Sequence, residues 1–429
     1  MWRTATAMAV ALFTGSASVA VQAQSIAQAE GLFLANETAA ARQAVESTGP
    51  VDPEEEIQRI WIKALSHMRE DAPRAALPHL ERLVTLVPDA TRFRLELARA
   101  LYLVEDNERA AFHFQQALGG TLSLAEIATV NEYLRAMENR KPWRGHMRVA
   151  VVSQSNPWHR SGEDFADIGG HLLLPLPEIE RATGLEVGVG GTYQPQLGND
   201  LYGRAHLMVT GQVFEEDKLN RWHLRSELGL MSLGDQGQQI GGGVTLQGAF
   251  GDQGRIMHGA GIYASFQRRF GNRTSLVIRV NADQLRYAGV PNLDGPRVAI
   301  SAEGARIVSP QMRLHGSVSL SHHHTKAEFN RRSTASLTFG GQYAFAGGVI
   351  GGLEAQFVHG RMAEANPLQL QYGPERSNRV GLTAQMLHRD FTLRGFAPVL
   401  VMGYEHQTST VPTNAFRNFK ISLGATRSF

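Results

Sequence analysis

Residues 395–429 read GFAPVLVMGYEHQTSTVPTNAFRNFKISLGATRSF, and this stretch decides the fold. It predicts one strand, a polar loop and a second strand that ends on Phe429. In the second strand, apolar residues alternate with polar or small ones from Phe419 onwards, and only Arg427 interrupts the apolar face. A period of two is that of a β-strand whose one face meets an apolar environment.

The final strand needs a partner, because an unpaired strand edge leaves N–H and C=O groups open to aggregation. In lipid, where no water can satisfy the backbone, a sheet must close into a barrel. We therefore expect the last strand to pair with the first strand, near Gly145 to Gln154. Phe429 is expected to complete this closure and to act as the signal for the barrel-assembly machinery.

The same period of two extends back to the predicted first strand. On one segment Arg221, His223, Arg225 and Glu227 alternate with apolar residues, which predicts that these four side chains face a watery lumen. A stretch at 168–176 is assigned to a loop, because a further strand would make the count odd and single-chain bacterial barrels have an even number. The pattern predicts about fourteen strands, near 145–154, 184–196, 201–214, 219–232, 237–250, 255–269, 272–285, 296–307, 311–322, 333–345, 348–359, 378–389, 396–407 and 416–429.

The predicted connections alternate between short turns and longer loops. Short turns of such barrels face the periplasm and long loops face outward. This places the helical region on the periplasmic side. The alternative to a membrane barrel is a soluble β-sandwich or propeller. The short connections are 197–200, 271–272, 309–310 and 347–348, and the long ones are 156–183, 323–332, 360–377 and 408–415.

The N-terminus has the pattern of a secretory signal peptide over residues 1–23. Arg3 supplies the positive charge, Ala5 to Phe13 form a short apolar core, and small residues follow. Residues 24–139 then show helical periodicity, with apolar side chains three and four positions apart. A linker is predicted at 140–144, before the barrel at 145–429.

The helical region contains an internal repeat. DAPRAAL at 71–77 returns as DNERAAF at 106–112. A helical hairpin repeated about every 34 residues is typical of tetratricopeptide repeats, and about three units are needed for stability. We expect 24–66 and 122–137 to supply the flanking helices, with alanines where helices pack closely. A generic helical bundle is the alternative.

Composition excludes several other classes. The chain has no cysteine, so thiolate metal sites and disulfides are impossible. A net charge of +2 over 429 residues argues against a nucleic-acid binder.

No motif predicts a catalytic, cofactor or metal site. His322, His323 and His324 alternate faces on a strand and so cannot all converge on one ion. Ser321–His322 and Glu405–His406 point to opposite faces in the same way, which argues against an enzyme. The three glycines at 241–243 lie in a strand with no helix after it, so they are predicted to bend the wall or leave room in the lumen.

The closing hairpin carries a set of motifs: Arg389-Asp390, Gly395-Phe396-Ala397-Pro398, Tyr404, Ser409, Pro412, and Arg417-Asn418 through Ser428-Phe429. In these residues it resembles the closing hairpin of the surface lipoprotein assembly modulators, or Slam-like outer-membrane translocators. The resemblance implies tetratricopeptide-like helices followed by a barrel, no catalytic residues, and transport of a surface lipoprotein or secreted protein.

We therefore expect an α+β protein with tetratricopeptide-like helices and a transmembrane antiparallel β-barrel of about fourteen strands. Its expected location is the outer membrane, with the helices in the periplasm. Expected partners are a protein cargo, the barrel-assembly machinery and outer-membrane lipids, with no cofactor and no nucleic acid. A solute channel or porin with a helical appendage is the alternative function, and a structural scaffold is a third.

Overall fold

The computed structural model describes residues 26–47, 52–140, 142–234, 238–345, 348–388, 393 and 395–428. Chain contacts divide the protein into two compact units, Met1–Met137 and Glu138–Phe429. The predicted signal peptide at 1–23 and the pair Arg389–Asp390 lie outside the described residues.

The first unit is helical, as the sequence predicts. None of its described helices is long and apolar enough to cross a membrane. The helices are α1 (26–34), α2 (Thr38–Glu46), α3 (Pro53–Arg69), α4 (Pro73–Leu86), α5 (Thr91–Leu103), α6 (Asn107–Ala117) and α7 (Leu124–Arg140).

Three helical hairpins repeat along this unit, and each turns through a residue with positive φ. These residues are Asn36, Asp71 and Glu105, with φ of 67°, 54° and 65°. After each of them, the next N–H donates to a carbonyl five residues earlier, at 2.9 Å in all three turns. This is the Schellman arrangement, which satisfies carbonyls at a helix end. The sequence repeat covers two hairpins, and the shared turn geometry shows that a third hairpin has the same design. The tetratricopeptide character of these hairpins stays a prediction.

The hairpins pack around a shared apolar core. Leu80, Leu83 and Leu101 are fully buried there. Ala76 and Ala110, which occupy the same place in the two sequence repeats, are also fully buried, so the predicted close packing at alanines is confirmed. Small side chains let the helix backbones approach each other.

The second unit is a closed antiparallel barrel of fourteen strands, which confirms the predicted count. Each strand pairs with its neighbour in sequence, apart from a small hairpin that follows the first. The barrel strands are β1 (Trp143–Gln154), β4 (Ala182–Tyr193), β5 (Leu201–Phe214), β6 (Arg221–Leu233), β7 (Gln239–Gly251), β8 (Gly254–Phe270), β9 (Thr274–Tyr287), β10 (Gly295–Ile307), β11 (Met312–His323), β12 (Arg332–Ala344), β13 (Val349–Ala365), β14 (Pro374–His388), β15 (Ala397–Ser409) and β16 (Phe416–Ser428).

The extra hairpin is β2 (Phe165–Ile168) and β3 (Leu172–Pro175), which pair only with each other. The prediction that the stretch 168–176 is not a barrel strand is therefore confirmed. The stretch is nevertheless part of a small hairpin and not an irregular loop. Its residues Leu172, Leu173 and Leu174 stay exposed. The hairpin is tied to another loop, because Gly169 N–H donates to the Leu368 carbonyl at 3.1 Å.

The connections separate into two ends of the barrel. We call the end where β1 begins and β16 finishes the closing end, and the opposite end the loop end. All four predicted short turns lie at the closing end and all four predicted long loops at the loop end. Two connections break the alternation: 252–253 is a short turn at the loop end, and 389–396 is longer at the closing end.

Two predicted boundaries differ in the structure. The loop predicted at 360–377 is only 366–373, because β13 and β14 pair onward past a bulge between Arg361 and Ala365. The predicted linker at 140–144 is also shorter, since α7 reaches Arg140 and β1 begins at Trp143. The break falls at Pro142, and a proline disfavours helix in the residue before it.

The barrel closes by pairing β1 with β16, from His146 opposite Ser428 to Gln154 opposite Lys420. The predicted partner of the last strand is therefore confirmed. Phe419 and Leu423 are exposed while Ser422 between them is buried, in agreement with the predicted faces. Phe429 itself lies outside the described residues.

Candidate functional site

The strand β6 carries the four residues predicted to face the lumen. Arg221, His223, Arg225 and Glu227 occupy alternate positions, and Glu227 is buried. The intervening Trp222, Leu224 and Leu228, and Leu230 further along, are exposed. The wall thus has one polar face and one apolar face.

Glu227 is the centre of a charged cluster on the polar face. Its Oε1 accepts from Arg225 Nε at 3.0 Å and from Arg279 Nη2 at 2.6 Å. Both arginines also donate to Asn281 Oδ1, at 3.2 and 3.0 Å. The Arg279 guanidinium lies 4.3 Å from the ring centroid of Tyr263. The Glu227 carboxylate therefore binds both guanidinium groups, and the Asn281 amide oxygen accepts a hydrogen bond from each of them as well.

This cluster indicates which face of the wall is concave. Arg279 is on β9 and Glu227 on β6, so two strands lie between them. Three strand spacings amount to about 14 Å along the sheet. Side chains from strands so far apart converge on the concave face and diverge on the convex one. We infer that the polar face lines the interior of the barrel.

A second charged cluster lies beside the closing seam. Glu186 on β4 accepts from Lys420 Nζ on β16, and from Gln212 Nε2 on β5 at 3.0 Å. Arg148 on β1 lies between them, 3.5 Å from Glu186 and donating to Ser422 Oγ at 2.9 Å. Four successive strands, including the first and last of the barrel, are joined by this network.

The remaining two predicted residues line a cavity on the inner face. Arg221 and His223 border a space of about 450 Å³ together with Arg148, Glu186 and His146. The structure therefore divides the four predicted residues between two places. Arg225 and Glu227 form the ion cluster, while Arg221 and His223 border the cavity beside the seam.

Glycine makes room for the Glu227 cluster at one position. A Cβ added at Gly229 would lie 2.3 Å from the Gly242 carbonyl oxygen and 2.7 Å from Tyr263 Oη. Neither distance is compatible with a side chain, so only glycine lets the Tyr263 ring reach beneath Arg279. The prediction that the glycines at 241–243 bend the wall or leave room in the lumen stays a prediction.

The first long loop lies against the inner wall at the loop end. Trp158 packs on Val152, Phe214 and Leu219, and the first two occupy inward-facing strand positions. Asn418 holds the start of this segment: its Oδ1 accepts from the Asn156 N–H at 3.0 Å. The segment 156–161 therefore narrows the opening of the barrel.

His159 of this segment is packed between two strands of the closing hairpin. Its ring stacks on Phe416 with centroids 4.3 Å apart, and its Nε2 lies 3.8 Å from Glu405. Burial lowers the pKa of the imidazole, and the Glu405 carboxylate opposes this shift. Burial therefore has a larger effect on the pKa of the His159 ring than the charge of Glu405.

The three consecutive histidines separate as strand geometry requires. The His322 and His324 rings are 6.2 Å apart, while His323 lies beside Tyr287. His322 Nδ1 is within 3.0 Å of Ser333 Oγ. In the described part of the chain, no group of three or more His, Cys, Asp or Glu residues could hold a metal ion.

Four residues of these clusters, Glu186, Arg148, Lys420 and Arg279, were not predicted as site residues from the sequence. Period-two alternation places each of them on the polar face, and that is the only sequence signal they carry. Which polar residues meet depends on strand register, which the sequence pattern alone does not specify. Asn418 and Pro412 were noted for the family resemblance, and the structure adds that both hold the first loop.

Comparison with known proteins links the barrel to one family. Residues 143–429 match the family described as "Surface lipoprotein assembly modifier". Surface lipoprotein assembly modifier 1 of Haemophilus influenzae is 18% identical over 385 residues, covering 86% of this chain and 77% of that protein. A surface lipoprotein assembly modifier of Moraxella catarrhalis is 24% identical over 107 residues, covering 25% of this chain and 21% of that protein.

Solved structures similar to this chain include two channels. The outer membrane channel DcaP of Acinetobacter baumannii has a TM-score of 0.40 at 10% identity, covering 67% of this chain and 96% of that one. The CymD monoaromatic hydrocarbon channel has a TM-score of 0.39 at 11% identity, covering 72% of this chain and 93% of that one.

Proposed function

Because this chain belongs to the surface lipoprotein assembly modifier family, we propose that it is an outer-membrane translocon for a specific protein cargo. The cargo would be a surface lipoprotein or a secreted protein. The match over residues 143–429, which span the whole barrel, is the observation that carries this proposal. In this scheme the barrel provides a passage and catalyses no reaction.

The inner wall supports a hydrated passage. Glu227 and Glu186 each pair with two basic side chains on it, so the charge at these two places is compensated within the wall. The segment 156–161 narrows the loop end and would have to move aside for a cargo. We place the loop end outside the cell, since longer loops of such barrels face outward.

The helical region is proposed to lie in the periplasm and to hold the cargo before transfer. Stacked helical hairpins form extended surfaces suited to a peptide or a partly folded chain. The barrel-assembly machinery would insert the protein, and Phe429 would contribute to that recognition.

The test is to delete residues 24–139 while keeping the predicted signal peptide. We expect cargo to be lost from the cell surface while the barrel still inserts, because insertion depends on the barrel and cargo capture on the helices. Surface labelling of the cargo and heat-modifiable migration of the barrel measure the two effects separately. Undiminished export by the truncated protein would contradict the proposal, and unchanged export together with altered uptake of small solutes would favour a solute channel.

A further inference from the structure

The outer face of the barrel carries a polar band on six consecutive strands, β11 to β16. On each strand, an apolar outward residue near the loop end is followed, at the next outward position towards that end, by a side chain with nitrogen or oxygen. We call these residues, with Arg361 and Arg376, the outer polar band. The six are His322, Ser333, His359, Asn378, His406 and Arg417, which follow Leu320, Ala335, Phe357, Val380, Tyr404 and Phe419.

All but one of the carboxylates on the described barrel strands lie on the other face of the wall. Among the described residues of the barrel strands, the only carboxylate away from an inward position is Glu364, beyond the bulge in β13. The outer polar band itself therefore contains arginines and no carboxylate, and Glu364 lies three positions beyond Arg361 on β13. The inward carboxylates are Glu186, Glu227, Asp283, Glu303, Glu354, Glu375 and Glu405.

Two arginines of the band are direct cross-strand neighbours. Arg361 on β13 is paired with Arg376 on β14. Directly opposite like charges destabilise a sheet, since their Cβ atoms are only about 5 Å apart. Both residues are exposed, and within the described part of the chain neither forms an ion pair, unlike Arg225 and Arg279 on the inner face. A bound anion would remove this repulsion.

A cavity adjoins the band. Its volume is about 450 Å³, and it is lined by exposed apolar residues and by members of the band. Val298, Ile300 and Leu320 form the apolar part, while His359 and Arg361 lie on the polar side. A ligand that fits must be apolar at one end and anionic at the other.

We propose that the outer polar band and this cavity form a binding site for an anionic membrane lipid with phosphate on its head group. The Arg361 and Arg376 guanidinium groups hold the phosphate, because planar guanidinium suits bidentate contact with phosphate oxygens. The side chains of Ser333 and His322 add donors beside them. An acyl chain lies on Val298, Ile300 and Leu320.

The test compares the full chain with an Arg361→Gln/Arg376→Gln double variant. Diphosphorylated lipid A, and the same lipid without its phosphates, are titrated into detergent-solubilised protein and bound lipid is counted by native mass spectrometry. We expect the affinity of the double variant for the phosphorylated lipid to be lower by about tenfold or more, since two charge-assisted contacts are lost. Lipid without phosphate should bind weakly to both proteins.

The matched control is Arg268→Gln/Arg306→Gln, which removes two outward arginines at the closing end and should bind like the full chain. Heat-modifiable migration checks folding, and the single variant Arg361→Gln replaces the double variant if the latter does not fold. Equal lipid binding by the double variant and the full chain would overturn the proposal. The proposal would also be overturned, in favour of a free-anion site, if inorganic phosphate alone bound with the same dependence on Arg361 and the acyl chains added no affinity.

Discussion

Glu227 shows how much a single residue contributes to the inner wall. It is the only carboxylate within 4.0 Å of either Arg225 or Arg279 among the described residues. The substitution Glu227→Gln keeps the shape of the side chain but removes the negative charge with which both guanidinium groups pair. We expect the barrel to lose about 1–3 kcal/mol of stability, because buried charge-assisted hydrogen bonds become neutral ones.

The temperature at which the barrel loses its heat-modifiable migration measures this effect. Glu303→Gln is the matched control, since Glu303 is also inward but exposed and without an ion pair in the described structure. Its transition should stay near that of the unchanged protein. Equal shifts in the two variants would show that the cluster around Glu227 adds no stability.

At the scale of elements, the hairpin of α3 and α4 has a pH-sensitive contact. The His67 and His79 rings stack 5.7 Å apart. Burial lowers the pKa of both imidazoles, and Arg42 adds to the effect on His67. The neutral rings are therefore the form that the folded hairpin favours.

The sign of the pH dependence follows from these shifts. Each folded-state pKa lies below the unfolded value of about 6.5, so the folded state binds fewer protons. The contribution to stability is complete above pH 6.5 and is lost as the pH falls through that value towards the folded-state pKa. We expect hydrogen-exchange protection of α3 and α4, corrected for intrinsic rates, to fall between about pH 7.5 and 5.5.

A variant with His67→Asn and His79→Gln should lose this dependence. Glu70 does not obscure the result, because hydrogen bonds from Thr38 and Arg42 lower the pKa of its carboxyl and it titrates only in stronger acid. Protection that falls equally in the double variant would assign the effect to other groups.

For the whole molecule, the fold of the second unit depends on closure of the barrel. Backbone pairing of β1 with β16 and the Lys420–Glu186–Arg148 network both cross the seam. Removing Phe429 should lower the amount of folded protein in the outer membrane, since a terminal aromatic residue is proposed to guide assembly. Fractionation with heat-modifiable electrophoresis measures this amount. Phe345→Ala, which removes an exposed aromatic near the closing end, is the control, and normal levels of the Phe429 truncation would contradict the assembly role.

The sequence alone predicted the barrel well, because the direction of a strand side chain is a local property. The period of two gave the fourteen strands, their approximate bounds and the apolar faces of residues such as Leu228 and Leu423. The helical hairpins were predicted only in part. The turns at Asn36, Asp71 and Glu105 use no glycine. Asparagine and aspartate adopt left-handed geometry more readily than other residues, but glutamate does not, so the sequence marked this shared turn only in part.

Only the tertiary structure decided which polar residues meet. Glu227 and Arg279 are far apart in sequence and have two strands between them in the sheet, and they touch because closure curves the wall. Register and curvature also seat the segment 156–161 in the opening and place Arg361 opposite Arg376. Local alternation sets the face on which a side chain lies, whereas its neighbours on that face depend on strand register and barrel closure, which belong to the whole sheet.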